Sequence, residues 1–480
     1  MKENKDLNDF WKNVAKLASG SLISQVFVIV LTPIIARLYS PADYGTLSLI
    51  NSIVGIVVIV ASLRLERALV LVGARTSTQL LNLCNTITFL FAILILLLVL
   101  FFDDFFNQFF KIEPAYLLFV IPFLVFVNGI LNAFKSFGNS FKVYGLLTTS
   151  IVINSILSSS LKVVAAFFFA PTALLLVASE SISVVVTLVF LFVTFRFANI
   201  NFQYSFPKLA FVSDTIKAQK QFLKYDIVSS LLNNFSWLMP ALLLSYYFDK
   251  SVVGFYSLGF TMLRLPMNLL GKAIGDVYYK SASDSIDPIA LKENTLKIVV
   301  KLFGFGLLPI FFITLFGDQL FVLLFGMEWE QAGVYSQILS FWSLIWFVAS
   351  PISNIYYIKN LQDKLFNFTL ISLLLRAASL MIGGWLNDAV VALVLFSIVS
   401  FMLYLFQLVY LLQKVEVDVA SIFSGLFSET KYASIVIILF FTCYFYQFPF
   451  LISLSVGSFS ILGYFGYKFY ELKQHKKRGR

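Results

Sequence analysis

The sequence predicts an all-α, polytopic membrane protein of about fourteen transmembrane helices. Composition is the first reason. Of 480 residues, 59% are hydrophobic, 12% are charged and 55 are phenylalanine, whereas an ordinary soluble domain carries about 25% charge. Run length is the second. Apolar stretches of about 20 residues recur along the chain, and at about 1.5 Å per residue each can cross a hydrocarbon core of about 30 Å. The third is the placement of positive charge. With the N-terminus inside, 29 of the 35 Lys and Arg residues fall in inner segments, and only Arg37, Lys111 and Lys250 in outer loops. That asymmetry orients membrane helices.

The spans fall near 17–37, 44–63, 80–102, 115–135, 147–169, 172–195, 224–247, 252–275, 296–316, 334–358, 364–386, 389–413, 432–448 and 450–469. Breakers mark several short connections: Pro41 and Gly45, Ala170-Pro171-Thr172, and Asn387-Asp388. The longest non-apolar stretches, 196–223 and 276–295, are basic and too short for separate domains. The expected division is 1–195, a basic linker 196–223, 224–413, and a helix pair with a basic tail over 414–480. Met1–Lys16 is polar and no cleavage site follows it, so the first helix is expected to serve as its own insertion signal. Both termini are expected in the cytoplasm.

The remaining composition excludes several function classes. Cys84 and Cys443 lie in apolar runs and imply no disulfide or metal site. The single histidine, His475, sits in the basic tail Lys473–Arg480, which reads as an inner-surface charge cluster. Outer loops are acidic, with Asp103, Asp104, Asp318, Glu328 and Glu330. The net charge of +10 therefore reflects the inner face, and no nucleic-acid partner is predicted. No Walker-type phosphate loop occurs, so the chain is not expected to hydrolyse ATP. No cofactor is expected. Uphill transport would draw on an H+ or Na+ gradient, the membrane potential, or consumption of product.

A weak internal repeat appears at an offset of 209. Gly45-Thr46-Leu47-Ser48-Leu49 matches Gly254-Phe255-Tyr256-Ser257-Leu258 at its glycine, serine and final leucine, and Ser21-Leu22 matches Ser230-Leu231. Six helices separate the matches, so both halves start from the same side. That is a parallel-repeat arrangement, in which substrate sites lie between halves.

Three cations lie deep inside apolar spans: Lys162, Arg264 and Arg376. Glu180 is the acid at similar depth. Each such charge costs roughly 2.5–3.5 kcal/mol on insertion scales unless protein, water or ligand solvates it. Residue counting puts Lys162 roughly 22 Å from the inner end of its span and Glu180 about 12 Å from the outer end of its own. They are within reach of an ion pair, and either a structural pair or a cavity-lining role follows. Arg264 and Arg376 each lie about 18 Å deep and could grip an anion bidentately. The excess of positive charge predicts an anion-receiving cavity.

Asn154, Ser158 and Lys162, at i, i+4 and i+8, share one helix face. Asn128 and Asn132 repeat that spacing. Asn233, Asn234, Ser21, Ser24 and Gln25 add polar groups to other spans, and all of these serve either a polar interior or interhelical packing. Arg64, Glu66 and Arg67 end the second span, as interfacial anchors or a gate ion pair. Arg37, Glu180 and Asp226 complete the coupling or gate candidates.

Three segments carry a family resemblance. Arg37-Leu38-Tyr39-Ser40-Pro41-Ala42-Asp43-Tyr44-Gly45 follows the first span, and Arg64-Leu65-Glu66-Arg67-Ala68-Leu69-Val70-Leu71 the second. Gly275-Asp276-Val277-Tyr278-Tyr279-Lys280-Ser281-Ala282-Ser283 follows the eighth. With them the chain resembles bacterial polysaccharide-biosynthesis flippases, the O-antigen and capsule translocases of the multidrug/oligosaccharidyl-lipid/polysaccharide exporter superfamily. The resemblance implies two six-helix bundles around a central cavity, here with two extra C-terminal helices. It implies an undecaprenyl-pyrophosphate-linked oligosaccharide as substrate, crossing by alternating access in the bacterial cytoplasmic membrane. Membrane lipids, a polysaccharide polymerase and a chain-length regulator would be its partners. Cationic cavities are a family feature, for which Lys162, Arg264 and Arg376 are the candidates.

Two other readings compete. A cation-coupled multidrug exporter would share the fold but favour acids in its cavity. A membrane polysaccharide polymerase or glycosyltransferase would need a large outer loop, and the longest outer connection, near 103–114, is short.

Overall fold

The computed structural model describes residues 20, 22–70, 74–200, 202, 205–207, 220–271, 274–275, 278–279 and 288–478. Among them are sixteen α-helices joined by turns and short 3-10 or π-helical segments, and none of these residues forms a strand. In order they are α1 (Leu22–Leu38), α2 (Pro41–Ala61), α3 (Ala74–Phe101), α4 (Asp103–Phe110), α5 (Val120–Ser140), α6 (Tyr144–Phe168), α7 (Ala173–Phe197) and α8 (Lys220–Tyr247). Then follow α9 (Lys250–Pro266), α10 (Pro288–Phe325), α11 (Glu330–Ile352), α12 (Ile355–Ile358), α13 (Gln362–Trp385), α14 (Ala389–Lys414), α15 (Val419–Phe445) and α16 (Phe450–Arg478).

Ten segments are long and apolar enough to cross a membrane, and Leu22–Leu38, Ala433–Phe445 and Phe450–Tyr464 are shorter apolar helices. These coincide with all predicted spans but 252–275. There α9 runs into a π-helical turn, Met267–Gly271, and its apolar run is interrupted by Arg264 and Pro266. The chain is a multi-pass membrane protein.

Helices outrun the predicted spans where polar residues continue them. α10 starts at Pro288 rather than 296 and carries Lys292, Glu293, Lys297 and Lys301 on its first turns. Hydropathy reads the membrane boundary, whereas an i,i+4 pair such as Glu293–Lys297, at 3.0 Å, carries the helix into water. Lys292, 2.8 Å from Asp418, holds that carboxyl below the usual carboxylate range. The connection 103–114 contains α4, with Asp103 and Asp104 at its positive end and Lys111 in the left-handed conformation as its stop.

The turn after α1 shows why its motif has that spelling. Ser40 caps α2, Pro41 takes the first helical position, and the Asp43 carboxylate accepts from Ser40 N at 3.2 Å, completing a capping box. Asp43 also accepts from Ala173 N at 2.6 Å, and the Tyr39 hydroxyl donates to Lys162 O at 2.7 Å. One short motif thus joins the α1–α2 turn to α6 and α7. Asn387-Asp388 acts as the predicted breaker: Asn387 is left-handed, and Asp388 accepts from Val390 N at 2.8 Å.

The chain divides into two compact units, Met1–Gly254 and Phe255–Arg480. In the first, Ile35, Tyr39, Leu49, Ile50, Leu117 and Val125 form one core, and Leu65, Leu81, Phe134, Phe137 and Phe195 another. In the second, Tyr278, Val299, Phe347, Ile352 and Leu411 pack together, while the C-terminal pair α15–α16 docks on α10 through Phe312, Phe316, Phe440 and Tyr464.

Within the first unit the repeat meets itself. A Cβ on Gly45 would lie 1.8 Å from Lys250 O, and one on Gly254 would lie 1.9 Å from Pro41 O. Pro41 and Lys250, like Gly45 and Gly254, are 209 residues apart. The contact is therefore reciprocal, as a two-fold repeat requires, and only glycine lets the two backbones approach so closely.

Candidate functional site

A cavity of about 470 Å³ opens inside the first unit, walled by α2, α5, α7, α8 and the turn after α2. On α2, Asn51, Gly55 and Val58 recur at helical spacing and share one face. On α5, Leu124, Asn128 and Asn132 do the same, and Asn128 Nδ2 donates to Leu124 O at 2.9 Å. Asn234 comes from α8, with its Nδ2 donating to Ser230 O at 2.9 Å. Glu180 comes from α7.

The turn after α2 supplies the charged end. Leu63 and Arg64 are both left-handed, which reverses the chain and sends Arg64 and Glu66 to the cavity wall. Arg64 Nη1 lies 3.6 Å from Glu66 Oε1, and Arg64 Nη2 donates to Ser230 Oγ at 3.0 Å. The Ser62 hydroxyl donates to Glu66 Oε2 at 2.5 Å. Glu66 is 7% exposed, so its charge is balanced by these two neighbours rather than by bulk water.

Lys162 stands behind Glu180. Its Nζ is 3.3 Å from Glu180 Oε2; Glu180 lines the cavity and Lys162 does not. The Asn154 face of α6 turns to α7 as well: Asn154 Oδ1 accepts from Ser183 Oγ at 3.0 Å. The polar stripe on α6 is thus an interhelical seam with one acid reaching the cavity. Ser158 is half-buried on that helix.

Arg264 and Arg376 belong to the second unit. Arg376 is 2% exposed. Its guanidinium lies over Trp342, Phe396 and Tyr404 at 5.2, 5.5 and 5.1 Å, and Nε donates to Ser400 Oγ at 3.0 Å. Arg264 lies over Phe260 at 5.4 Å. Phe260 stacks on Trp342 and Trp342 on Tyr404, so an aromatic ladder joins the two arginines. Ring faces solvate such a cation by about 0.5–2 kcal/mol each.

The structure thus brings Arg64, Glu66, Asn128, Asn132, Glu180 and Asn234 together in one cavity. Gln25 is half-buried on α1, and Arg37 and Asn233 are exposed. The Asp226 side chain lies outside the described residues, as do Ser21 and most of 276–283. Asn51, Gly55 and Ser230 were not predicted as site residues. An i,i+4 Asn51–Gly55 pair in an apolar span was the available signal. Among the described residues, no group of three His, Cys, Asp or Glu could hold a metal ion.

Chemically, this cavity is an amide wall with two acid–base couples. Four asparagines present donors and acceptors at once, and both acids, Glu66 and Glu180, have a cation beside them. The positive excess read from the sequence is therefore not expressed here; it resides partly in the aromatic cluster of the second unit.

Solved structures share the fold. The lipid II flippase MurJ in an inward closed conformation superposes with a TM-score of 0.69 at 14% identity, covering 95% of this chain and 99% of that one. An inward-facing multidrug resistance MATE family transporter of the MOP superfamily gives 0.57 at 14% identity, covering 83% and 93%. The Vibrio cholerae MATE transporter VcmN gives 0.55 at 14% identity, covering 86% and 98%. No curated protein matches the sequence. A family model described as polysaccharide biosynthesis protein matches residues 34–334, a stretch that contains the whole cavity, and the chain belongs to that family.

Proposed function

We propose that this protein is a flippase that moves lipid-linked oligosaccharide repeat units from the cytoplasmic to the outer leaflet for assembly of a surface polysaccharide such as O-antigen or capsule. The observation that carries the reading is the membrane-embedded wall of Asn51, Asn128, Asn132 and Asn234. Sugar hydroxyls each donate and accept, and a carboxamide matches both functions. An apolar drug would cover the amide groups that face the cavity without partnering them, at about 1–3 kcal/mol for each group it buries. Membership of a polysaccharide-biosynthesis family and a fold shared with a lipid II flippase support the same cargo class.

In this reading the sugar enters the amide-lined cavity while its lipid stays in the membrane. The Arg64 and Glu66 end meets the pyrophosphate, where guanidinium binds bidentately. Arg264 and Arg376 keep the second unit's helices in register as the protein alternates between states. Glu180 exchanges its Lys162 partner for a proton or Na+ during coupling. The protein sits in the bacterial cytoplasmic membrane with both termini inside, carries its cargo without modifying it, and hands it to a polymerase and chain-length regulator.

The deciding experiment measures lipid-linked sugars by leaflet in cells lacking the protein. Single repeat units held on the cytoplasmic leaflet, with surface polysaccharide lost, are the expected result. Repeat units that reach the outer leaflet unpolymerised would sink the reading in favour of a polymerase. Normal polysaccharide with raised sensitivity to cationic drugs would instead favour drug export.

A further inference from the structure

A second cavity in the first unit, also about 470 Å³, is absorbed by no part of the cargo path. It lies between α3, α5 and α7. Its walls are apolar and aromatic, including Phe89, Phe126 and Phe134. Phe89 and Phe126 meet edge to face at 5.7 Å, and Phe134 and Phe202 at 5.3 Å. The volume lies within the range of about 300–1,000 Å³ that holds drug-sized ligands.

Three polar residues break the apolar wall: Asn82, whose Nδ2 donates to Ser205 Oγ at 3.2 Å, Asn85 and Arg196. Arg196, the penultimate residue of α7, is exposed, and its guanidinium rests 5.5 Å over both Phe192 and Phe202. Asn85 Oδ1 is buried and has no hydrogen-bond partner among the described residues. Such a carbonyl oxygen costs about 1–3 kcal/mol unless a donor meets it. None of the lining residues is acidic, so the charge of Arg196 is not balanced within the wall.

We infer that this cavity is a binding site for one anionic glycerophospholipid from the leaflet beside the basic ends of the helices. The phosphate pairs with Arg196, an acyl chain lies among the phenylalanines, and a turn of the Asn85 amide brings its buried Oδ1 to a head-group hydroxyl. A zwitterionic lipid would bring a second cation to a wall without a carboxylate. The aromatic shelf under Arg196 holds the guanidinium at the mouth, where the long side chain can keep its charge at the interface. This lipid is a bound structural partner, distinct from the cargo.

The test is native mass spectrometry of the purified full-length protein from nanodiscs of equal phosphatidylglycerol and phosphatidylethanolamine. The wild type is expected to retain one phosphatidylglycerol through detergent exchange. Arg196→Gln removes a charge-assisted contact and is expected to weaken retention about tenfold. Asn85→Asp, isosteric but anionic, is expected to abolish it, and Lys359→Gln, on an exposed turn of the second unit, to leave it unchanged. Gel filtration confirms that each variant is folded. Equal retention of both lipids by the wild type would overturn the site, as would undiminished phosphatidylglycerol on Arg196→Gln. Displacement of phosphatidylglycerol by an equal fraction of a C55 polyprenyl phosphate would also overturn it, because the site would then belong to the cargo lipid.

Discussion

The two units solve the same electrostatic problem in opposite ways. In the first, Lys162 and Arg64 lie beside carboxylates, and both acids face an open, amide-lined cavity. In the second, Arg376 is enclosed by Trp342, Phe396 and Tyr404, and its Nε donates to Ser400. A carboxylate partner keeps a site polar and hydrated; ring faces solvate the cation while the surroundings stay dry. The contrast teaches that an intramembrane charge marks a cavity only when its partner is also polar and exposed to it. Depth in the helix, which is similar for Lys162 and Arg376, does not distinguish the two cases.

That contrast can be broken by substitution. The largest effect is expected at Glu66. Glu66→Leu leaves the half-buried Arg64 without its carboxylate and should destabilise the protein by about 3 kcal/mol, read as a fall in thermal stability in detergent. A loss under 1 kcal/mol would mean that water, not Glu66, balances Arg64. Next is the glycine crossing. Gly45→Ala drives a methyl into Lys250 O and should cost about 1–3 kcal/mol, with Gly254→Ala equivalent by the reciprocal geometry. Unequal losses would show that the two-fold contact is coincidental.

Arg376→Lys keeps the charge but loses the planar stack, and about 1–2 kcal/mol should go with it. Export should fall only in proportion to folded protein. A full loss of export at normal protein levels would place Arg376 in the cargo path and erase the contrast between units. The smallest stability effect is expected for Asn128→Ala with Asn234→Ala, within about 1 kcal/mol, because each amide donates within its own helix. Export should nonetheless drop at least tenfold, since about 1.4 kcal/mol of lost head-group binding is one decade. Unchanged export in that double variant would remove the amide wall from the mechanism.

Several of these features were legible in the chain before its fold. Asn128 and Asn132 could be assigned to one face because helical spacing is local. The Lys162–Glu180 pair could be anticipated because both residues lie on consecutive helices joined by a short turn, so counting residues sets their relative depth. Asn51 could not be recognised in the same way, since one amide in an apolar span reads as packing until its neighbours are known. The Asn154, Ser158 and Lys162 stripe was equally consistent with a water path, and only the position of Ser183 on α7 turned it into a seam.

What the sequence determined by itself is therefore most of the spans and the turns between them. Hydropathy and breakers act over a few residues, so each can be read without knowing what lies across the membrane. What only the tertiary structure decided is which polar groups share a cavity and which cation is closed in by rings. Arg64 meets Ser230 across 166 positions, and Arg376 reaches Trp342 from another helix. Contacts of that kind depend on how helices rotate about their axes and pack. In a chain where nearly every helix face is apolar, that rotation leaves almost no trace in the periodicity of the sequence.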